Sequence, residues 1–355
     1  MFKRFDRHVW LVLATGLALG VLGALLAVWG NPVNSGICVS CFIENSAGAL
    51  GLHANQRMQY LRPELIGFVL GATASALFFR EFRSRGGSAP LPRLIAGVFL
   101  IVGCAVFIGC PIKLFLRLTA GDLTALAGVA GLAVGVWIGV RTLTAGVDAG
   151  PAKAEARGSG LLIPGFFVLL LALLLVKPVF VQFSSQGSAA EYAAVGVALP
   201  VSLLLGVLAQ RSRFCVTGSL RDLFLMGVRV PLLVGIVSFV GGSLLINLFT
   251  GRFNLALYGQ PGAHTDHLWS FIGMLLVGWV SVLLGGCPFR QLIKAGEGDT
   301  DAGTVVVGMF LGGALVQSWG IAASAAGVPL PGKVAVLAGL LLCVAATLVF
   351  RTRSA

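Results

Sequence analysis

The cysteines of this 355-residue sequence follow a repeated pattern. A Gly-Cys-Pro motif with a basic residue three positions after the cysteine occurs at 109–113 and returns at 286–290, an offset of 177 positions. The same offset places Cys38 on Cys215. Each Gly-Cys-Pro cysteine follows the earlier cysteine of its half by 72 positions, with no insertion expected in between. The two halves of the chain are therefore predicted to be duplicates.

Each Gly-Cys-Pro motif is typical of the start of a helix. Proline suits the first helical position, so Cys110 and Cys287 are predicted at N-caps, beside unpaired backbone amides. A helix N-terminus attracts anions and favours thiolate over thiol, and Lys113 and Arg290 lie one turn further on the same face. Each motif therefore predicts a small site for an anion or for a soft sulfur or selenium atom.

A Cys-x-x-Cys pair, Cys38 and Cys41, occurs in the first half only, because Gly218 stands at the second position in the other half. This spacing suits redox or metal chemistry, but no second pair exists to complete a tetrahedral zinc site. A redox role therefore stays open, and no metal site is predicted. Arg213, just before Cys215, is a further basic candidate.

Two aspartates, Asp122 and Asp299, also match at the offset and lie near Arg117 and Lys294. They are predicted as helix caps and charge partners, with a proton relay as the alternative.

The remaining motifs predict structure more than chemistry. Cys104 and Cys343 lie inside apolar segments and are expected in the core. The polar stretch 264–267 contains two histidines but is expected to cap the helix that begins near Leu268. No phosphate-binding loop, dinucleotide fingerprint or HExxH motif is present, so no cofactor and no enzymatic activity are predicted.

The composition is that of an integral membrane protein. Of the residues, 57% are hydrophobic and 11% are charged, and the mean hydropathy is +0.96. The seven cysteines are odd in number and mostly lie in or beside apolar segments, which favours reduced thiols over a secreted disulfide framework. The net charge of +12 comes from dispersed basic residues, so no nucleic-acid partner is expected.

Apolar stretches long enough for a bilayer predict ten membrane spans, with the lipid bilayer as the surrounding partner. The first is too long for a signal peptide and is expected to remain in the protein. Lys and Arg are concentrated on the side of both termini, which predicts cytoplasmic termini in a bacterial inner membrane. The spans lie near 9–30, 65–79, 94–110, 123–140, 161–176, 193–210, 230–250, 268–286, 303–320 and 334–350.

An odd number of spans separates the starts of the two repeats, which predicts that the second is inverted relative to the first. The expected organisation is a first repeat (1–141), a linker with span five (142–186), an inverted second repeat (187–325) and a last span (326–355).

Four segments are too polar to span and too apolar for simple loops: Cys38–Ala49, Cys215–Gly227 and the stretches after the two Gly-Cys-Pro motifs. They are predicted to be re-entrant half-helices lining a cavity. The predicted fold is thus an all-α integral membrane protein of about ten transmembrane helices and four half-helices, in two inverted repeats.

Four motifs resemble the YeeE/YedE family of membrane proteins, and within it the YedE-type proteins assigned to selenium transport: NPVNSGICVSCF (31–42), LRPE (61–64), QRSRFC (210–215) and LGGCPFRQ (284–291). The resemblance extends over nearly the whole chain. Members of the broader family take up thiosulfate and related compounds past cysteines that contact the substrate in succession. The resemblance implies that role for Cys38, Cys110, Cys215 and Cys287. The Cys38-x-x-Cys41 pair and the bases Lys113 and Arg290 depart from that pattern.

The leading hypothesis is therefore uptake of a small selenium or sulfur compound along the four repeated cysteines, with positive charge from Lys113 and Arg290. A cytoplasmic protein that accepts the chalcogen is a further expected partner. Uptake of thiosulfate or another sulfur anion is one alternative. The others are a membrane enzyme for thiol redox or chalcogen transfer, which would use Cys38 and Cys41 covalently, and a purely structural subunit.

Overall fold

The computed structural model describes residues 7–87, 89–147, 150, 152–227 and 231–350. Within these ranges the regular secondary structure is almost entirely helical. Several of the basic residues behind the predicted cytoplasmic termini, among them Lys3, Arg4, Arg351 and Arg353, lie outside the described residues. The orientation in the membrane thus stays a prediction.

The described residues form fourteen helices: α1 (Arg7–Val28), α2 (Val39–Ala49), α3 (Pro63–Phe78), α4 (Pro90–Phe107), α5 (Pro111–Thr119), α6 (Ala125–Thr144), α7 (Arg157–Val176), α8 (Val195–Ser212), α9 (Val216–Met226), α10 (Pro231–Phe249), α11 (His267–Leu283), α12 (Pro288–Gly296), α13 (Thr300–Ser318) and α14 (Leu330–Val349).

Nine of the described helical segments are long and apolar enough to cross a membrane, and α3 is a shorter apolar helix of 16 residues. Three of the nine segments continue into α5, α9 or α12. Taken as separate helices, ten helices correspond to the ten predicted spans, with ends shifted by no more than four residues: α1, α3, α4, α6, α7, α8, α10, α11, α13 and α14. The ends differ because helices begin at local signals, such as Pro63 in α3 and Pro90 in α4, and not where hydropathy rises. The chain is a multi-pass, helical membrane protein.

The prediction of an all-α chain misses one small element. The strands β1 (Arg85–Gly86) and β2 (Lys153–Ala154) pair in an antiparallel manner, and the hydroxyl of Thr300 donates to the carbonyl of Arg85. Two-residue strands carry no alternating pattern, so the sequence holds no signal for them.

Four short helices occupy the predicted half-helix positions. α2 and α9 have 11 residues and α5 and α12 have 9, about half of the roughly 20 that a bilayer core requires. Almost every residue of α2 and α5 is buried, which gives these helices the protein surroundings that such segments need at membrane depth. Each half-helix begins directly after one of the four repeated cysteines.

The two repeats are inverted. The first helices of the repeats, α1 and α8, run antiparallel: Thr15 contacts the carbonyl of Leu208, and near the opposite ends the amide of Ala193 donates to Asn31. In contrast, α1 and α10 run parallel, because Gly16 lies against Gly235 and Gly20 lies against Phe239. Helices related by the offset thus point in opposite directions, as an inverted duplication requires.

Helices of one half pack mainly against helices of the other half. α1 packs against α10, and the corresponding pair in the other direction is α8 against α3. Likewise, α4 packs against α13, and α11 packs against α6. Glycines at the two interfaces correspond: Gly131 lies against the carbonyl of Phe271, and Gly308 lies against the carbonyl of Leu94. A methyl group at either glycine would overlap that oxygen, so both contacts depend on close backbone approach. The contacts are related by the sequence offset, which identifies an approximate two-fold axis.

The expectation of no insertion between the repeated cysteines is wrong in detail. α3 ends at Phe78 and α10 at Phe249, which is 171 positions later and not 177. The connection to the next helix is correspondingly longer in the second half (250–266) than in the first (79–89), so the register is restored before the Gly-Cys-Pro motif. Surface connections tolerate such changes in length. Because the changes cancel, the spacing between the cysteines does not reveal them.

Candidate functional site

Two cavities lie at opposite ends of α1. The larger, the Lys113 cavity, has a volume of about 710 Å³ and is lined by Pro32 and Val33, which follow the end of α1. The smaller, the Arg290 cavity, has a volume of about 350 Å³ and is lined by His8 at the start of α1. With 22 residues, α1 is roughly 33 Å long, about the thickness of a bilayer core. The cavities therefore lie near opposite faces of the membrane.

The wall of the Lys113 cavity carries charge and a thiol. Cys41, Glu44, Arg62 and Lys113 all line it. Lys113 is only 2% exposed, yet within the described residues its ammonium has neither a hydrogen bond nor an ion pair. A buried cation without a protein partner favours an anionic ligand.

The glycine of the motif positions this lysine. A methyl group on Gly109 would lie 2.8 Å from Cδ of Lys113, so the lysine stem lies directly over the glycine backbone. Gly286 has the same relation to Cγ of Arg290, at 2.7 Å. The Gly-Cys-Pro-x-basic pattern thus sets the course of the basic side chain in both halves.

The Arg290 cavity is also basic, but the motif arginine in its wall is paired with a carboxylate. Cys215, Arg213 and Arg290 line it. Nη1 of Arg290 is 2.9 Å from Oε1 of Glu297, and the second guanidinium nitrogen bonds the other carboxylate oxygen at 3.4 Å. The two halves therefore offer different electrostatics to a ligand, although the sequence places a base in each.

Five cysteine sulfurs lie between the two cavities, and we call them the cysteine row: Cys41, Cys38, Cys110, Cys287 and Cys215. The row begins at Cys41 in the Lys113 cavity, whose sulfur is 2.7 Å from that of Cys38. The thiols of Cys38 and Cys110 interact, and Cys110 and Cys287 are close enough to interact electrostatically. The sulfur of Cys287 is 3.7 Å from that of Cys215, which lines the Arg290 cavity.

Helix capping fixes two cysteines of the row, Cys38 and Cys215. Cys38 is the N-cap of α2 and accepts from the amide of Cys41 at 3.5 Å; Cys215 is the N-cap of α9 and accepts from Gly218 at 3.3 Å. Hydroxyls at matching positions, Ser40 and Thr217, also contact the two sulfurs. The capping thiols thus face donors that stabilise negative charge on sulfur.

Cys110 and Cys287 are the N-caps of α5 and α12, in extended conformation before proline, and their thiols make no capping bond. The amide of Cys287 instead donates to the sulfur of Cys215 at 3.5 Å. Each of these inner thiols interacts with its neighbour in the row, Cys110 with Cys38 and Cys287 with Cys215.

The other charged candidates lie outside both cavities. Asp122 and Arg117 form a fully buried ion pair at 2.7 Å, and Arg117 also bonds Thr124. Asp299 caps α13 and lies 3.5 Å from Lys294. Both aspartates hold neighbouring charges and helix starts in place.

The stretch 264–267 is structural, but not in the predicted manner. Asp266 is the N-cap of α11 without a side-chain capping bond, and instead accepts from the amide of Val328 at 2.8 Å. His264 contacts the carbonyl of Val106 at 2.8 Å, and burial lowers its pKa. Cys104 and Cys343 are both buried.

Sequence reasoning missed three residues around the Lys113 cavity. Glu44 and Gln317 line it, and the amide of Gln317 donates to the Glu44 carboxylate. Arg62 is buried and donates to Asn45 and to two backbone carbonyls of the 188–191 segment. Glu44 could have been identified from the sequence, because it is a charged residue inside a half-helix that is expected at membrane depth. Gln317 has no such sequence signal.

Comparison with known proteins identifies a distant relative. No protein-family model matches the chain. The probable transporter YedE of Escherichia coli (strain K12) is 22% identical over 279 residues. The match covers 71% of this chain and 63% of the relative, so the matched region spans less than two thirds of that protein. The chain is therefore similar, at a distance, to this probable transporter.

Proposed function

We propose that this protein is a transporter that moves a small selenium or sulfur compound across the membrane along the cysteine row. The observation that carries the proposal is the row of cysteine thiols that lies between two cavities at opposite ends of α1. The relative's name as a probable transporter supports the same class of function. Catalysis is not part of this proposal.

The chemistry of the row suits a chalcogen ligand. Thiol sulfur is polarisable, donates weak hydrogen bonds and contacts other soft atoms favourably. Several such contacts in sequence bind a ligand weakly at each step, which permits entry and release. Selenium and sulfur compounds both fit this description, so thiosulfate remains the alternative substrate.

The Lys113 cavity is proposed as the entrance. Its unpaired ammonium attracts an anion, and the positive-inside pattern of the sequence puts this cavity on the side away from the cytoplasm. The Arg290 cavity is then the cytoplasmic exit, where a chalcogen-accepting protein would take the product. This orientation corresponds to uptake through a bacterial inner membrane.

The state described here is closed between the cavities. Cys38, Cys110 and Cys287 are no more than 1% exposed. Passage of a ligand thus requires the half-helices to move. A shift at α5 or α12 would open the row toward one cavity at a time.

A second candidate function, thiol redox or chalcogen transfer, is favoured by one contact. The sulfurs of Cys38 and Cys41 lie 2.7 Å apart at a helix N-terminus, an arrangement found in reactive Cys-x-x-Cys motifs. This function requires a covalent adduct on Cys41, which opens into the cavity. A transport pathway requires none.

The test is uptake of labelled selenite and thiosulfate into liposomes that contain the purified protein. The proposal predicts uptake above that of empty liposomes, and at least a tenfold loss in Cys110→Ala. The matched control is Cys343→Ala, which removes a buried thiol outside the row. Unchanged uptake in Cys110→Ala would refute the proposal that substrate passes along the cysteine row. Loss in Cys41→Ala alone, with a persulfide or selenide adduct on wild-type Cys41 by mass spectrometry, would establish the redox alternative.

A further inference from the structure

Cys41 is the one member of the cysteine row without a counterpart in the other half. The offset places Gly218 at its position in α9. Like α2, α9 has 11 residues and begins after a capping cysteine. A half-helix therefore starts correctly without a second thiol, and Cys41 is not a requirement of the fold.

The thiols of Cys38 and Cys41 are placed to react with each other. Cys38 is the N-cap of α2, and Cys41 is the third residue of that helix. Their sulfurs lie 2.7 Å apart, whereas those of Cys287 and Cys215 lie 3.7 Å apart. Because a disulfide bond is about 2.05 Å long, Cys38 and Cys41 are much nearer to bonding distance.

Of these two thiols, Cys41 is the one that a small molecule can reach. It is partly exposed and lines the Lys113 cavity, whereas Cys38 is 0% exposed. Three basic side chains and two carboxyls line this cavity: Arg57, Arg62, Lys113, Glu44 and Glu191. A helix N-terminus and basic surroundings both favour the reactive thiolate. Cys41 is thus suited to attack an oxidant, and Cys38 is suited to resolve the product.

The pair faces an oxidising compartment in the orientation proposed above. The positive-inside pattern puts the Lys113 cavity on the side away from the cytoplasm of a bacterial inner membrane. Disulfides form and persist on that side, whereas the cytoplasm keeps thiols reduced. Cys41 therefore meets oxidants that do not reach Cys215 at the cytoplasmic exit.

We propose that Cys38 and Cys41 form a reversible disulfide that closes the entrance of the cysteine row. The oxidant is a low-molecular-weight disulfide in the Lys113 cavity. The Cys41 sulfur attacks it, the S–S bond of the oxidant breaks, and one half leaves as a thiol with the Cys41 proton. Cys38 then attacks the Cys41 sulfur of this mixed disulfide, and the second half leaves with the Cys38 proton. Two protein thiols are oxidised, and one disulfide is reduced to two thiols.

The disulfide removes the contacts that a substrate needs at the entrance. Its sulfurs carry no S–H group and cannot ionise, so they neither donate a hydrogen bond nor hold negative charge. Cys38 also interacts with Cys110, the next thiol of the row. Oxidation thus interrupts the row between the cavity and Cys110, and a small thiol that enters the cavity reverses both steps. This inference rests on the proposed transport function and adds its regulation.

The experiment compares liposomes of reduced protein with liposomes that have been treated with bis(2-hydroxyethyl) disulfide, a small neutral oxidant, and washed. Initial rates of labelled thiosulfate and selenite uptake are measured at short times, because selenite itself oxidises thiols. Oxidised wild type should be slower by about tenfold or more, the effect of losing a hydrogen-bonding contact of about 1.4 kcal/mol. Dithiothreitol should restore the rate. Cys343→Ala, which lacks a thiol outside the row, should respond as wild type does.

Peptide mass spectrometry of the same samples detects the disulfide independently of uptake. In wild type, the peptide that contains Cys38 and Cys41 should lose two hydrogens, and the oxidised fraction should match the fraction of uptake lost. In Cys38→Ser, Cys41 should instead keep one half of the oxidant as a mixed disulfide. Residual uptake by Cys41→Ser, at whatever level, should not respond to the oxidant.

The outcomes separate the disulfide from transport. Absence of the disulfide after treatment, uptake that falls without it, or uptake that is unchanged when it is complete would each overturn the proposal. Inhibition that persists in Cys41→Ser would do the same, because it would come from another thiol. If Cys41→Ser is inactive, the match between oxidised fraction and lost uptake in wild type decides. If reduced wild type takes up neither substrate, the transport function is refuted, while the mass spectra still show whether the disulfide forms.

Discussion

Removal of the Lys113 charge is expected to weaken substrate binding far more than removal of the Arg290 charge. Among the residues that the structure describes, Lys113 has no carboxylate within ion-pair distance, whereas Arg290 is paired with Glu297 at 2.9 Å. A monoanion about 4 Å from the ammonium gains about 4 kcal/mol at an effective dielectric constant of about 20. Loss of anion hydration offsets part of this gain, so a charge-assisted contact leaves about 1.5–3 kcal/mol.

That free energy corresponds to a roughly 10- to 100-fold rise in KM for uptake by Lys113→Gln. Lys113→Arg keeps the charge and should stay within a few fold of wild type. Arg290→Gln should change KM little but should lower the thermal stability, because Glu297 loses its partner. The assay is the concentration dependence of labelled selenite uptake into liposomes, with thermal unfolding of each variant in detergent. An unchanged KM in Lys113→Gln, or an equal rise in Arg290→Gln, would refute the assignment of Lys113 as the anion site.

Three further outcomes follow from the packing. Asp122→Asn leaves the fully buried Arg117 without its counter-charge and should cost about 3–5 kcal/mol of stability, seen as a lower melting temperature in detergent; an unchanged temperature would contradict the buried pair. Gly131→Ala and Gly308→Ala each place a methyl group against a backbone carbonyl and should destabilise similarly, whereas Gly165→Ala, with open space around it, should not; different losses in the first two would argue against the two-fold relation. Hydrogen bonds from Gln210 and Arg211 lower the pKa of Glu81, so this contact stabilises the fold above the usual carboxyl range and is lost as pH falls below about 4.5. Glu81→Gln should therefore reduce the acid sensitivity of unfolding, and an identical pH profile would show that the contact is unimportant.

Much of the architecture follows from hydropathy and from the duplicated cysteines. The positions of the spans and half-helices are determined by local composition, and the N-cap positions of Cys110 and Cys287 follow from the proline after each. The inversion of the second repeat follows from the odd number of membrane spans between the starts of the repeats, which can be counted from the sequence alone. These features depend on contacts that are local in the chain.

The electrostatics of the site depend on long-range contacts and were not predictable. Arg290 and Lys113 occupy equivalent motif positions, yet among the described residues only Arg290 of the two pairs with a carboxylate. Its partner, Glu297, directly follows α12, and the counterpart of Glu297 in the first half is an alanine, Ala120. Gln317 reaches Glu44 from a helix more than 270 positions away. The asymmetry between the two cavities therefore emerges only when the halves are packed together.

The central claim is that substrate passes between the cavities along the cysteine row. Cys287 lies in the buried middle of this row. The most direct measurement is the initial rate of labelled selenite uptake into liposomes by Cys287→Ala, compared with wild type and with Cys343→Ala at equal protein content. The account predicts at least a tenfold lower rate for Cys287→Ala and a wild-type rate for Cys343→Ala. A wild-type rate for Cys287→Ala would contradict it.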